Sequence, residues 1–518
     1  VISRLDRFLL GHSRQRERAL VDAALGREEA ASRALAEADA TRFAADMQAL
    51  ERVPHVVLGT TEAGARYRVP LADLDGAHGH ATGATGSGKS FAIAGLLDQL
   101  IAHQLRGEPI ALVVLALQGF LVDFVLGALG TRLLGVSESQ REAVLGRLTV
   151  LRFHRGDFLT PWQLLVPDPA VPVLAQAAAY AEVIEQILGG RLGARQEASL
   201  TNLLALAMAG SPPWTLPELR AYLHAPELLQ KRAASLPLPE VRLFFRERFA
   251  RESAASVDGL KSRLETLLRD ESLRAVLTGP SRLDLRGCFS PGSVTLLDFG
   301  GAPLTFEGSR ALAGLVLQAL AFEVFNPRRP RDAMVMLVGD ELQQALSGAG
   351  VRVMDALLTT ARAQRVGTIT IHQALSQLPR ELHDLYATNV RMRWLFRPSR
   401  DELRAQTDLL PTDPADPGAR VTEERLARFS NLPRQHLIFA ERGGAFGPRV
   451  LQSPRFAPVA LDRLPRDLRT ALERGRAGVS RAELLTRARD HEAEAFARLE
   501  GARVPHTPDV SGRAGRSR

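Results

Sequence analysis

Apolar positions in this chain recur on two periods, and the switches between them divide it. Residues 14 to 50 are a Pro-free run of Ala, Arg and Glu, predicting a long exposed helix with a solvated charged face. Val56 to Val69 holds two short alternating runs around Thr60-Thr61-Glu62-Ala63-Gly64, the pattern of a hairpin. Phe91 to Leu105 returns to a helical period. Ile110 to Leu117 is continuously apolar, as a strand buried on both faces would be, and a helix follows it. From about 170 to 280 the spacing is helical, in Ala175 to Leu188, Gln196 to Ala209 and Val257 to Val276. Ser211-Pro212-Pro213 and Pro237-Leu238-Pro239 break that stretch. Strand-like runs resume at Val294 to Phe299, Met334 to Val338 and Thr368 to Ile371, each associated with a helical segment. Strands alternating with helices predict a parallel sheet flanked by helices, here interrupted by an all-α insertion. The expected divisions are 1–50, 51–165, the insertion 166–285, 286–460, helices over 461–500, and a disordered tail over 501–518.

Composition narrows the class. At 518 residues and 45% apolar content the chain has room for several domains with a sizeable core. The apolar stretch Ile110 to Val136 is interrupted by Gln118, Asp123 and Arg132, so no span of about twenty apolar residues is continuous and no integral membrane segment is expected. No signal peptide is visible, and a cytoplasmic protein is expected. The net charge of +8 weakly favours a polyanionic partner, although an Arg-rich codon bias gives the same balance. Cys288 is the only cysteine, which excludes an internal disulfide and a cysteine-based zinc site.

The most informative stretch is Gly83-Ala84-Thr85-Gly86-Ser87-Gly88-Lys89-Ser90. It fits the phosphate-loop pattern, in which glycines let successive backbone N–H groups turn inward on a triphosphate. Lys89 supplies a point charge to the outer phosphates, Ser90 a hydroxyl for Mg2+, and the following helix its positive dipole end. Lys89 is one of only three lysines among 66 Lys and Arg residues, so a chain biased toward arginine has kept a lysine here. The ligand this predicts is ATP with Mg2+.

A phosphate loop needs an acidic partner, and Met334 to Val338 leads through Gly339 into Asp340-Glu341. Asp340 is expected to hold Mg2+ through water and Glu341 to polarise the attacking water. Gly367 to His372 reads as another strand, followed by Gln373, placed either to contact the γ-phosphate or to cap the next helix. Arg391, Arg393 and Arg397 fall on a run that reads as one strand, where alternation puts all three on one face. One of them could act across a subunit boundary, though surface arginines give the same pattern. His78, His80 and His372 lack a metal-ligand spacing and read as structural.

Taken together, these motifs resemble the HerA/FtsK superfamily of hexameric DNA-pumping ATPases, in particular soluble relatives of the type IV secretion coupling proteins of the TraG/TraD type. His78 with the phosphate loop, the strand ending Asp340-Glu341, and Ala361-Arg362-Ala363-Gln364-Arg365-Val366-Gly367 running on to Gln373 carry the likeness. So do Asn389 with Arg393 and Arg397, and Leu432-Pro433 with Leu437 to Glu441. The resemblance implies a RecA-like P-loop NTPase core over roughly 55 to 455 with catalytic Glu341, Gln373, Arg393 and Arg397. It further implies a homo-hexamer, DNA bound without sequence specificity, and a place in conjugation or secretion machinery. One departure stands out: where the family carries Asp-Pro-Lys-Gly, this chain has Ala116-Leu117-Gln118-Gly119. A secretion-assembly ATPase acting on protein, or a nucleotide-binding scaffold with little hydrolysis, are the alternatives.

Overall fold

The computed structural model describes residues 30, 34, 37–117, 120–152, 157–187, 194–251, 254–278, 283–300, 306–346, 349–411 and 422–503. The chain divides into two compact units, each built from separated segments. The first comprises the residues up to Glu108 and Leu358–Pro458; the second comprises Pro109–Leu357 and Val459 onward.

The strands in chain order are β1 (His55–Thr60), β2 (Arg66–Pro70), β3 (Gly79–Gly83), β4 (Ile110–Ala116), β5 (Leu148–Arg152), β6 (Phe158–Leu159) and β7 (Val294–Asp298). They continue with β8 (Met334–Asp340), β9 (Val366–Ile371), β10 (Met392–Phe396), β11 (His436–Glu441), β12 (Arg449–Gln452) and β13 (Val479–Ser480). Within the first unit the strand order is β2-β1-β12-β11-β10-β3-β9. Its parallel part is β10, β3 and β9, with Met392 opposite Gly79, Phe396 opposite Gly83, and Gly79 opposite Ile369. The remaining pairs are antiparallel. β1 and β2 form the expected hairpin, closed by Thr61 and Ala65 with Gly64 at φ +83°. Gln99 on the helix Lys89–Leu105 accepts from the Val57 amide at 2.7 Å and donates to its carbonyl at 3.0 Å. It thereby satisfies the main chain where the β1 ladder slips out of register. The charged N-terminal run is helical at 37–49 and buries Phe43 and Met47. Residues 14–29, 31–33 and 35–36 of that expected helix lie outside the described residues.

In the second unit four parallel strands run in the order β8-β4-β7-β5. Every residue of β4 and β8 is buried, which explains their unbroken apolar sequence. Helices Phe120–Leu133 and Phe306–Phe325 follow β4 and β7. The stretch from Val173 to Thr278 is all-helical, as its spacing predicts, and holds seven α-helices among its described residues. A Thr215/Glu218 capping box opens one of them, and Trp214 stacks on Tyr222 beside it. The C-terminal helix Arg481–Arg503 is tied to the helix Glu271–Thr278 by Arg274–Glu492 and Arg489–Glu271 ion pairs. Of the expected disordered tail, residues 504–518 lie outside the described residues. Among those described, no helix is long and apolar enough to cross a membrane.

Three of the buried histidines of the first unit, His78, His80 and His372, lie on or next to β3 and β9. His78 Nδ1 lies 2.8 Å from the Thr368 hydroxyl, and the His80 ring packs at 5.1 Å from His372 and 4.9 Å from Tyr386. Burial, with the nearby Arg362 charge, lowers the His78 pKa to about 4. Burial and the Lys89 charge lower that of His372 to about 3. Burial, His372 and Arg393 push His80 well down too. Each ring binds its proton less readily folded than unfolded. The resulting stability is therefore complete above the unfolded pKa of about 6.5 and is lost as pH falls toward the folded values. Between pH 6.5 and 5 the unfolding free energy is expected to drop by up to about 1.4 kcal/mol per pH unit for each ring. Denaturant titrations across that range check this, and His372→Asn should flatten the slope by one ring's share. An unchanged slope would show that His372 does not resist protonation.

Candidate functional site

β3 delivers the chain into the loop 83–90 at a point where only glycine fits. A Cβ on Gly83, at φ +144°, would stand 1.7 Å from the Phe396 carbonyl oxygen of β10. On the other side the Gly83 amide donates to the Gln373 carbonyl at 3.1 Å, just beyond β9. The loop closes with Ser87 N–H to Ala84 O at 3.2 Å, while Gln435 N–H holds Ser87 O at 3.2 Å. Gly88, at φ +109°, then starts the helix Lys89–Leu105. Ala84, Thr85 and Gly86 form an exposed crest. Lys89 is only 7% exposed, and its ammonium donates to the carbonyls of Gly83 at 2.5 Å and Ala84 at 3.1 Å. The lysine thus curls back over the loop that it would share with a phosphate. Ser90 is half-buried in the first turn of the helix.

Gln373 is half-buried, and its amide donates to Gln377 Oε1 at 3.0 Å. Its main chain therefore belongs to the frame around Gly83, whatever its side chain contacts. His372 N–H continues the β3 pairing by donating to Ala81 O at 2.9 Å.

In the second unit β8 ends on Asp340 and Glu341 follows it; they are 4% and 6% exposed. The Asp340 carbonyl accepts from Leu117 N–H at 3.2 Å. Glu341 takes a left-handed conformation, φ +59° and ψ +28°, and its carboxylate accepts from the Gln343 side chain. A non-glycine residue in that region costs about 1–2 kcal/mol, so the surrounding structure holds this carboxylate in place against its own backbone preference. Gln118 and Gly119, where the sequence departs from Asp-Pro-Lys-Gly, lie outside the described residues.

The arginines differ from the expectation of one strand face. β10 spans only Met392–Phe396. Arg391 precedes it and pairs with Glu441 at 2.5 Å. Arg393 lies within it, half-buried, and donates to the Ala387 carbonyl at 3.0 Å. Arg442 donates to the same carbonyl at 2.7 Å, so two guanidinium groups cap the negative C-terminal end of the helix Arg380–Asn389. With Asp408 and Glu441, the three arginines 391, 393 and 442 line a cavity of about 270 Å³. Arg397 falls beyond the strand, exposed and at φ +46°, so β-alternation does not reach it. The reason is local: the chain turns left-handed before Pro398, and Ser399 caps a new helix, Arg400–Ala405.

Glu402 of that short helix was not singled out by the sequence. It is 8% exposed, its amide donates to Ser399 Oγ at 3.1 Å, and its carboxyl oxygen Oε1 is buried without a hydrogen-bond partner. Burial raises its pKa. Its one sequence signal, Ser399-x-x-Glu402, reads only as a helix cap.

No family model matches the chain, and no curated protein matches it by sequence. Solved structures do match. VirB4 of Thermoanaerobacter pseudethanolicus superposes with a TM-score of 0.51 at 15% identity, covering 78% of this chain and 97% of that one. The plasmid coupling protein TrwB in complex with ADP and Mg2+ gives 0.52 at 15% identity, covering 79% and 92%.

Glu341→Gly tests the backbone argument. It should raise the urea midpoint by the equivalent of about 0.5–1 kcal/mol, the left-handed cost less the added freedom of the unfolded chain. A lower midpoint would mean that the Gln343 contact outweighs the backbone cost. At 15% identity the likeness is one of fold, and the chain has the RecA-like P-loop NTPase fold seen in VirB4 and TrwB.

Proposed function

We propose that this chain hydrolyses ATP with Mg2+ and uses the energy to move DNA, as a ring-forming motor of the HerA/FtsK type. The loop geometry carries the reading: Gly83 fixed between Phe396 and Gln373, and Lys89 curled back on the loop's own carbonyls. The group fits the residues present. Glycines at positive φ turn amides inward, Gly86 has open space above it, and the helix begins where an anion would rest. The TrwB structure named above holds ADP and Mg2+ on the same fold.

In this reading residues 83–88 cradle the phosphates by their amides, and Lys89 leaves the Gly83 and Ala84 carbonyls to neutralise the outer phosphates. Ser90 and Asp340 would hold Mg2+, which when bound would draw negative charge from the transferred phosphoryl group. Glu341 accepts the proton of the attacking water and Gln373 orients that water. Arg393 or Arg397 reaches a neighbouring subunit's site in a homo-hexamer. Basic loops would grip DNA phosphates rather than bases, making binding sequence-independent and salt-sensitive. The setting would be the cytoplasm, where ATP and DNA are available, within a conjugation or secretion system.

Lys89→Ala should abolish turnover with unchanged far-UV circular dichroism. Glu341→Gln should still bind ATP and turn over about a hundredfold or more slower, as loss of a general base does. DNA should stimulate the parental rate. Turnover indifferent to DNA supports a secretion-assembly ATPase instead, and binding without turnover supports the scaffold that Ala116-Leu117 suggests.

The trans-acting role has its own test. Lys89→Ala rings and Arg393→Ala/Arg397→Ala rings should each be inactive. Mixed rings pair intact loops with intact arginines and should recover part of the rate, since an arginine given in trans contributes about 10³ to 10⁵. No recovery despite proven co-assembly, or full activity of the double arginine variant, removes both arginines from that role.

A further inference from the structure

We infer that the cavity between Arg391, Arg393 and Arg442 is a binding site for one phosphodiester group of a nucleic-acid strand. The inference deepens the DNA reading above and rests on it. The cavity lies within the first unit, at the other end of β10 from the phosphate loop. Phe396 ends β10 opposite Gly83, whereas Met392 opens it opposite Gly79, and Arg391 comes before that. Four residue steps put roughly 13 Å between the two strand ends. Arg442 follows β11, and its amide donates to the Arg391 carbonyl at 2.8 Å, which fixes these two arginines side by side. The site is therefore separate from this chain's own phosphate loop.

The arginines crowd there without matching acids. Arg393 Nη2 and Arg442 Nη1 both donate to the Ala387 carbonyl, at 3.0 and 2.7 Å, and Arg442 also donates to the Thr388 carbonyl. Among the described residues neither guanidinium has a carboxylate within ion-pair distance, whereas Arg391 pairs with Glu441 at 2.5 Å. Two like charges that share one carbonyl repel each other, and a helix end offers only a partial negative charge against them. An oxyanion in the cavity relieves that repulsion. It also takes donors that the carbonyls leave over, since each guanidinium has five.

Access and charge select the anion. Arg442 is exposed and Arg393 half-buried, so the donors run from the rim into a cavity of about 270 Å³. Leu409 and Phe446 also line it, beside Gly447, where a Cβ would meet nothing within 4 Å. That open, partly apolar wall suits a sugar next to the phosphate. The lining carries three guanidiniums against the two carboxylates Asp408 and Glu441, which leaves one positive charge. A phosphodiester brings one negative charge and balances it. A phosphate monoester brings about 1.5 to 2 and would set its excess against both carboxylates.

The bland alternative is that Arg393 and Arg442 only cap the helix Arg380–Asn389. Salt dependence separates the two. Arg442→Gln keeps an amide donor for the Ala387 carbonyl and loses the charge. It should bind a fluorescent oligothymidylate about three- to tenfold more weakly. Its slope of log affinity against log salt should be smaller by about 0.7, the share of one single-strand phosphate. Asp408→Asn removes a carboxylate from the lining and should bind about three- to tenfold more tightly. Arg404→Gln, in the same unit but paired with Asp401 and Glu423, should change neither affinity nor slope. Arg393 stays intact in all three variants, so the test of trans-acting arginines remains separate. Anisotropy titrations of the whole chain over a potassium chloride series measure affinity and slope together. An unchanged slope in Arg442→Gln, an Asp408→Asn no tighter than the parent, or an equal loss in Arg404→Gln overturns the inference. A parent that binds no oligonucleotide overturns instead the DNA reading on which it rests.

Discussion

The carbonyl of Phe396 rests against Gly83 with no room for a side chain between them. Much else in the first unit depends on that contact. It locks the parallel register of β10 on β3, while the Gln373 carbonyl holds the Gly83 amide from the other neighbour. The loop therefore leaves the sheet in one direction, fixed by main-chain groups of two strands that lie far away in sequence. This preorganisation explains why the crest Ala84–Gly86 can stand exposed and nearly free of side-chain support. An oriented set of amides costs little to reorganise when a phosphate arrives, which is how backbone cradles bind anions.

The same clamp brings polar groups into a core that must otherwise be apolar. His80 on β3 and His372 at the end of β9 pack on one another and on Tyr386. Burial holds both rings neutral near pH 7, and the Lys89 charge adds to the effect on His372. Neutral rings next to the loop leave Lys89 as a concentrated positive charge instead of one among several. Of these groups, Lys89 is the one that carries charge near pH 7.

How far this was legible in the sequence depends on how local each feature is. The loop 83–90 is contiguous, and its glycines, lysine and serine announce themselves. β4 and β8 were legible because strands buried on both faces must be apolar throughout, and Gly64 marked the β1–β2 turn. β5 and β12 are short, and their patterns are too weak to mark a strand. Arg397 illustrates the opposite failure. Alternation extends a strand for as long as the residue types permit, but β10 stops at Phe396 because the backbone turns left-handed ahead of Pro398. Arg397-Pro398 was the available signal, since a residue before proline is already restricted and tends to end or bend an element. Glu402 was illegible for a different reason. Its local pattern reads as a helix cap, and its burial follows only from how the helix Arg400–Ala405 packs.

The discontinuous make-up of the first unit links these observations. β3 comes from the segment before Glu108, and both of its sheet neighbours come from the segment after Leu358. The phosphate loop is complete as a sequence motif by Ser90 but has no clamp until β9 and β10 have paired with β3. Such pairings close loops of a few hundred residues and form late relative to local hairpins such as β1–β2, because closure entropy comes before the contacts that offset it. A strand terminus that must be gripped from both sides by distant chain is also one whose geometry those distant segments can adjust. The residues that adjoin the grip, Gln373 past β9 and Arg397 past β10, are therefore the ones through which changes elsewhere in the first unit would reach Gly83 and the loop it opens. Sequence adjacency hides that relation, and strand register reveals it.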